Sequence, residues 1–345
     1  MGLRLLRYGN TALMSSALDP LEDMQCFVGA LGSEDYLSDL LWARHGLSKR
    51  AAREKSSAVQ PYVEAAMSYL QQADAGPSDI SFLPLYYALL NMMRAYVIIG
   101  PYSSELNDRA NRTHGLSYDQ TKKSHSLMTE RLYVRQKGSI SLFYKTLTGE
   151  SVQRRTTLLM RDVYPFLVDV SAEYMLAAGA EGGTCGLDVR VVRGQRGVYL
   201  KAQHVSGSEP PSVKSLKVLR GCRYDAASKA YCSKPVADND TAYERLAECI
   251  RPELVYLDSS SSESRAKIQT PVSGRDLLFP EELPIALVFF HMSALVRYNP
   301  QSLVTFRESR YWPMMMAARR HCLLKFLKLF WSYVHQEAIV LTHQR

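Results

Sequence analysis

Apolar positions recur at helical spacing through the first hundred residues. Over 33–47, SEDYLSDLLWARHGL, the residues Tyr36, Leu37, Leu40 and Leu41 share a face behind a Ser33 cap, which predicts an amphipathic helix. A basic connector, HGLSKRAAREKSS (45–57), leads to a second helix over 61–74. Its first residue, Pro61, suits an opening turn, where the missing N–H is not needed. The stretch 79–100, DISFLPLYYALLNMMRAYVIIG, is apolar on nearly every side and predicts a buried central helix stopped by Gly100 and Pro101. A second such run, PEELPIALVFFHMSALVRYNP (280–300), begins with acids suited to the positive end of a helix dipole. The longest uncharged stretches in these two runs, 80–93 and 283–296, are 14 residues each, too short to span a bilayer and right for core helices. Farther on, 311–344 reads as one long helix starting near Pro313.

The middle of the chain has a different texture. TERLYVRQKGSISLFYKTLTG (129–149) alternates and is rich in Tyr, Val and Phe, which predicts a short hairpin-like β segment near 130–148. TTLLMRDVYPFLVDVSAEYMLAAG (156–179) predicts one or two helices broken at Pro165. From about 183 the pattern is β: a hairpin over 186–205, further strands over 212–236, and a polar loop at 259–267. The expected fold class is α+β, with helix-rich N- and C-terminal parts packed together around a β-containing middle segment. The expected division is a helical region at 1–180, a β-containing insert at 181–275, and C-terminal helices at 276–345 packing back on the N-terminal region.

Composition narrows the class. The 345 residues are 46% hydrophobic and 22% charged, as in folded globular proteins. The net charge of +8, from 42 basic and 34 acidic residues, is spread along the chain and favours only weak attraction to nucleic acid or anionic membrane. The six cysteines, Cys26, Cys185, Cys222, Cys232, Cys249 and Cys322, form no C-x2-C pair and no zinc spacing. Scattered thiols fit a reducing compartment, and the N-terminus has no sustained apolar core of a signal peptide, so the expectation is cytoplasmic. No phosphate loop, dinucleotide-binding glycine fingerprint, nucleophile elbow or HExxH motif is present, and no metal or cofactor is expected.

Candidate chemistry is sparse. In NDRANRTHGLSYDQ (107–120), Arg109 and His114 have the Arg-x4-His spacing of helical ribonucleases of the HEPN type. There an arginine holds the scissile phosphate and a histidine transfers the proton, without a metal. Ala110 stands where that motif has a polar residue, and Gly115 follows the histidine directly, so the pair can equally lie in a loop without converging. Asn91 and Arg94, and His291, Arg297 and Tyr298, interrupt the two apolar helices. Buried polar groups need partners, so with His114 they make a candidate structural or recognition network, or the lining of a small-molecule site near Asn91 and His291. RRHCLLKFLKLFWSYV (319–334) has an apolar stripe of Leu323, Phe326, Leu327, Phe330 and Val334 beside basic residues. Such a helix packs on its own domain, or it meets a membrane surface or partner through Arg319, Arg320, Lys325, Lys328 and Trp331.

The order of segments FLPLYYALLNMMRAYVIIG, THGLSYDQ, YVRQKGSISLFYKTLTG and PIALVFFHMSALVRYNPQSL resembles that of the YaaC-like proteins. The matching points are Tyr86 and Tyr87, Asn91, Arg94 with Ala95, His114-Gly115-Leu116, Gln136 with Gly138, and Arg297-Tyr298 with Pro300. Leu303 departs from the pattern, where a tryptophan is expected. The family has no agreed enzymatic activity. One branch is similar to the sensor component of Jumbo phage killer, a two-gene bacterial anti-phage system. The resemblance therefore implies an infection sensor or adaptor that binds a phage-derived structure (an early vesicle, its protein or its lipid) and recruits a second defence protein as effector. A homo-oligomer is compatible with that role.

Overall fold

The computed structural model describes residues 8, 10–16, 19–119, 127–180, 182–205, 211–212, 215–257, 265–272 and 277–343. The chain opens with β1 (Asn10–Ser16), α1 (Pro20–Ala30), α2 (Glu34–His45), α3 (Lys49–Ala75) and α4 (Phe82–Ile99). Two 3-10 turns, Ser103–Asn107 and Arg109–Arg112, lead to β2 (Leu116–Tyr118), β3 (Arg131–Val134), α5 (Ser139–Thr148), β4 (Thr156–Leu159) and α6 (Ser171–Ala178). The middle carries β5 (Thr184–Gly194), β6 (Gly197–His204), β7 (Arg223–Asp225), β8 (Ala230–Cys232), α7 (Ala242–Ala247), β9 (Tyr256–Leu257) and β10 (Arg265–Pro271). The last part is α8 (Glu282–Tyr298), α9 (Pro300–Arg307), α10 (Trp312–His335) and β11 (Glu337–His343). The class is α+β, with helices at both ends and sheet between them. Contacts gather the described residues into two units, one within 183–281 together with Tyr8, the other within 10–182 and 282–345.

The first unit is built on an antiparallel sheet in the order β7-β8-β6-β5-β10-β9. Its centre is the expected hairpin, closed by the Gly194–Gly197 pair. Alternate residues Cys185, Leu187 and Val189 on β5, and Val198, Leu200 and Ala202 on β6, are buried, so one face of each strand builds the core. Within 212–236 the strands are only the three-residue β7 and β8. Of the predicted polar loop, 259–264 lies outside the described residues, whereas 265–267 begins β10, paired with β5.

The larger unit surrounds α4 and α8. Their apolar runs pack on each other, with Phe82 on Phe289 and Tyr86 on Phe290 at ring-centroid distances of 5.8 and 5.2 Å. α3 corrects the expected connector and helix at 45–74: one helix runs unbroken from Lys49, with Pro61 inside it. The reason is a continuous buried stripe, Ala52, Ser56, Val59, Val63, Ala66, Leu70 and Ala73, at alternating spacings of four and three. Burial of that stripe outweighs the one backbone hydrogen bond that proline removes. Lys55, on the same helix, donates to the carbonyls of Ile98, Ile99 and Gly100, a cation placed on the negative end of α4.

Three further expectations are corrected. The segment at 130–148 is half strand and half helix: β3 pairs with β2 and β4, and after Gly138 the chain turns into α5. α5 is buried on most sides, so its aromatic, dense apolar sequence mimics a strand. The predicted helix at 156–179 is β4, a series of 3-10 turns through Pro165, and only then α6, because β4 is captured by β3. The long C-terminal helix ends at His335. Gln336 takes a left-handed backbone (φ 55°), and the following residues pair in parallel with β1, Asn10 opposite Glu337 through Ser16 opposite His343.

The junction of α10 and β11 carries a pH-sensitive pair. Tyr36 Oη meets His335 Nε2 at 3.0 Å, His335 Nδ1 faces the Trp331 carbonyl, and His45 Nε2 faces the Val334 carbonyl. Burial, ahead of all other causes, lowers both histidines below the usual range, even though their backbone bonds raise them. Arg44 and Lys55 add to the lowering of His335 and His45 respectively, and Glu337 opposes it at His335. A histidine whose folded pKa is depressed contributes stability that is fully present above its unfolded value and is lost as pH falls through the folded value. The melting temperature is therefore expected to fall as pH drops from 7 to 5, and to fall less in the double variant H45Q/H335Q. An equal fall in wild type and variant would remove these histidines as the cause.

Candidate functional site

The polar residues that interrupt α4 and α8 converge with the loop after the Arg109–Arg112 turn. On α4, Tyr87 lies one helical heptad before Arg94, with Tyr86 next to it in the chain. On α3, Tyr62 and Tyr69 have the same spacing of seven and face them in antiparallel order. Tyr69 stacks on Tyr87 at 5.3 Å, and the Arg94 guanidinium lies 6.0 Å from the Tyr62 ring. From the end of α8, Arg297 donates from Nη1 to the Tyr87 hydroxyl at 3.1 Å. Its guanidinium sits 5.7 Å from the Tyr87 ring and 4.8 Å from that of Tyr298, favourable cation–π geometry.

His114 joins this cluster from the loop before β2. Its Nδ1 lies 2.9 Å from the Tyr86 hydroxyl, and its ring is nearly parallel to that of Tyr86. Burial drives the Tyr86 phenol well above the usual tyrosine range, against the opposing fields of Arg297 and Arg94. Burial, then Arg297, then Arg94 pull His114 below the usual histidine range. The pair is neutral at pH 7. The loop is held by the start of α5. Ser139 N donates to the Thr113 carbonyl at 2.7 Å, Ile140 N to that of His114 at 3.1 Å, and Gly138 N to the Asn111 side chain at 3.1 Å. These bonds satisfy N–H groups that a helix N-terminus otherwise leaves open. Arg94 completes the tie, donating to Ser139 Oγ at 3.2 Å and to the Arg112 carbonyl at 2.8 Å.

A second cluster lies on another face of α8. His291 is fully buried, its Nε2 hydrogen-bonded to the Glu130 carboxylate and its Nδ1 3.0 Å from the Tyr164 hydroxyl. Tyr118 donates to the same carboxylate and accepts from Asn299. Burial keeps Tyr164 and Tyr118 far above the tyrosine range, with the Glu130 charge adding to it. The relay joins β2, the start of β3, the turn before α6, and α8, and it is a buried tie between elements.

Of the polar residues that the sequence singles out, Arg94, His114, Arg297 and Tyr298 come together, whereas His291 belongs to the second cluster. Asn91 bonds within its own helix, to the Tyr87 carbonyl at 2.7 Å. Arg109 is exposed on its 3-10 turn, and the cations acting on His114 are Arg297 and Arg94. Along α10, Arg319 is tied to Ser81 and the Ala73 carbonyl, and Arg320 to Asp19. Trp331 is 5% exposed and stacked on His335 at 3.6 Å, which corrects its placement on a contact surface. Lys325 and Lys328 are half-buried and engaged. The helix packs on α1, α4 and α8 as a core element. Phe82–Ile99 is long and apolar enough to cross a membrane by length and composition, but 78% of it is buried inside the fold. Sequence reasoning missed Tyr62 and Tyr69, whose matched spacing with Tyr87 and Arg94 was readable. It also missed Glu130 and Tyr164, which no spacing connects to His291.

Residues 30–192 match the family model described as YaaC-like Protein. The match covers α2 to α4, the His114 loop and α5, and stops short of α8. No curated protein and no solved structure matches the chain.

Proposed function

We infer that this chain, YaaC-like over residues 30–192, acts by binding, as an infection sensor or adaptor in bacterial anti-phage defence. The observation that carries the binding reading is the setting of His114. It is neutral against Tyr86 in a loop hydrogen-bonded to the start of α5, with Arg94 and Arg297 beside it and Arg109 exposed on a separate turn. An Arg-x4-His nuclease pair presents both side chains to one phosphate; here the motif arginine is not among the groups acting on the histidine. In the cytoplasm the protein would meet a phage-derived protein or lipid vesicle and recruit an effector, and the cluster of tyrosines and arginines is a preformed surface for recognition.

Phage protection in cells and cleavage of total RNA in vitro test this reading together. Wild type and Arg109→Ala are expected to protect equally, and wild type, Arg109→Ala and His114→Ala to leave RNA intact. RNA cleavage by wild type that both folded variants lose would replace the sensor with a ribonuclease. Absence of protection by wild type, with its effector present, against every nucleus-forming phage tested would sink the defence role.

A further inference from the structure

We propose that Arg297 anchors a nucleotide-binding site, its guanidinium taking a phosphate and the neighbouring tyrosine ring a base. Several arginines elsewhere in the same unit are neutralised: Arg44, Arg50, Arg307 and Arg320 each pair with a carboxylate within 3.0 Å, and Arg319 is spent on Ser81 and the Ala73 carbonyl of the fold. Arg297 and Arg94 have no carboxylate partner among the described residues. The groups acting on Tyr86 and His114 are these two arginines, Tyr87 and Tyr298, with no acid among them. Two positive charges gathered without a counter-ion are held by stacking and by neutral acceptors.

The two arginines differ in what remains available. Arg94 spends its donors on Ser139 and the Arg112 carbonyl, which fixes the loop. Arg297 uses only Nη1, on Tyr87. Its Nε is buried and has no acceptor, and Nη2 makes no hydrogen bond among the described residues. Nε and Nη2 form one edge of the guanidinium, the edge that grips a carboxylate or phosphate with two parallel bonds. A buried N–H without an acceptor destabilises a fold, and an oxyanion on this edge removes that penalty. The Nε end of this edge is unsatisfied, and a ligand must displace the groups that cover it.

The tyrosines choose the class of anion. A bare phosphate uses the guanidinium alone. Tyr298, beside Arg297, leaves 51% of its surface exposed and offers a planar base a face on which to stack. Arg94 supplies a second charge for a second phosphate, so a nucleoside diphosphate or triphosphate is expected to bind more tightly than a monophosphate. This assignment does not rest on the defence reading.

The experiment is calorimetric titration of the full chain with adenosine and guanosine mono- and triphosphates, and with inorganic phosphate. A triphosphate is expected to bind, with the monophosphate weaker and inorganic phosphate weaker still. Arg297→Ala is expected to weaken nucleotide binding roughly tenfold to hundredfold, the range for a lost charge-assisted pair. Arg297→Lys is expected not to restore it, because an ammonium lacks the two-donor edge. Tyr298→Ala, at an exposed position that leaves the fold intact, is expected to weaken nucleotides and leave inorganic phosphate unchanged. Arg320→Ala is expected to match wild type. No nucleotide binding by folded wild type, or binding that survives both Arg297→Ala and Tyr298→Ala, would overturn the site. Inorganic phosphate binding as tightly as the nucleotides would overturn the nucleotide assignment. A protein that protects cells yet binds no nucleotide would overturn this inference alone.

Discussion

Gly138→Ala is expected to be the most damaging small substitution in the larger unit. Gly138 has φ 136°, a backbone that L side chains rarely adopt. A Cβ built there would lie 2.2 Å from the Cα of Gly115 and 2.5 Å from its nitrogen, both backbone atoms with no rotamer to yield. Holding a non-glycine residue in such a conformation costs about 1–3 kcal/mol, and overpacking a close contact adds about 1–3 kcal/mol. With a sum near 4 kcal/mol, the melting temperature should fall by roughly 8–16 °C, at about 2–4 °C per kcal/mol for a unit of this size. The control is Gly149→Ala. It also sits at positive φ, 73°, but nothing lies within 4 Å of the added carbon, so only the backbone term remains. Equal melting temperatures for the two variants would show that Gly115 and Gly138 do not touch. The contact seats the loop that carries His114.

His291→Leu should rank next. It keeps the volume of a buried side chain and removes both hydrogen bonds, leaving Glu130 buried without its imidazole partner and Tyr164 without its acceptor. Leaving a buried donor or acceptor without its partner destabilises by about 1–3 kcal/mol, more where the group is charged, and here two groups lose theirs. Glu130→Gln keeps a carbonyl oxygen for the His291 N–H and for the Tyr118 hydroxyl, so its expected cost is nearer 1 kcal/mol, a single ordinary hydrogen bond. Urea unfolding of Glu130→Leu, His291→Leu and the double variant measures the coupling. The double variant should be more stable than the sum of the singles predicts, by more than about 1 kcal/mol. Strict additivity would mean that the two side chains do not act as a unit.

The part of the fold that local periodicity controls was legible. α2, with its Ser33 cap, and the two helices α4 and α8 follow from residues within one or two turns of each other, because side chains three and four apart share a face. The β5–β6 hairpin follows from alternation around a glycine turn. The same locality explains why Arg94, His114, Arg297 and Tyr298 stood out as polar intrusions, and why the segments resembling YaaC-like proteins were found. Gly115 and Gly138 belong to that resemblance as separate points; their van der Waals contact across twenty-three residues explains both at once.

What periodicity could not decide was whatever depends on a distant partner. β4 is a strand because β3 lies beside it, and β11 because β1 offers seven positions in parallel register from the other end of the chain. α5 is a helix despite strand-like residues because it is enclosed on most sides, and α3 passes through Pro61 because one buried stripe runs its whole length. In each case the free energy of burial and pairing with a remote segment exceeds the local preference of about 1 kcal/mol per residue or less. The candidate site divides in the same way. By itself, the sequence determined which polar residues interrupt the apolar helices. It took the packing of distant segments to show that Arg94 is spent on holding a loop, that His291 is sealed against Glu130, and that Arg297 keeps its Nε unsatisfied beside an exposed ring. A hydrogen-bond partner is a matter of a few ångströms in space, and sequence spacing carries that information only within a turn or a pair of strands.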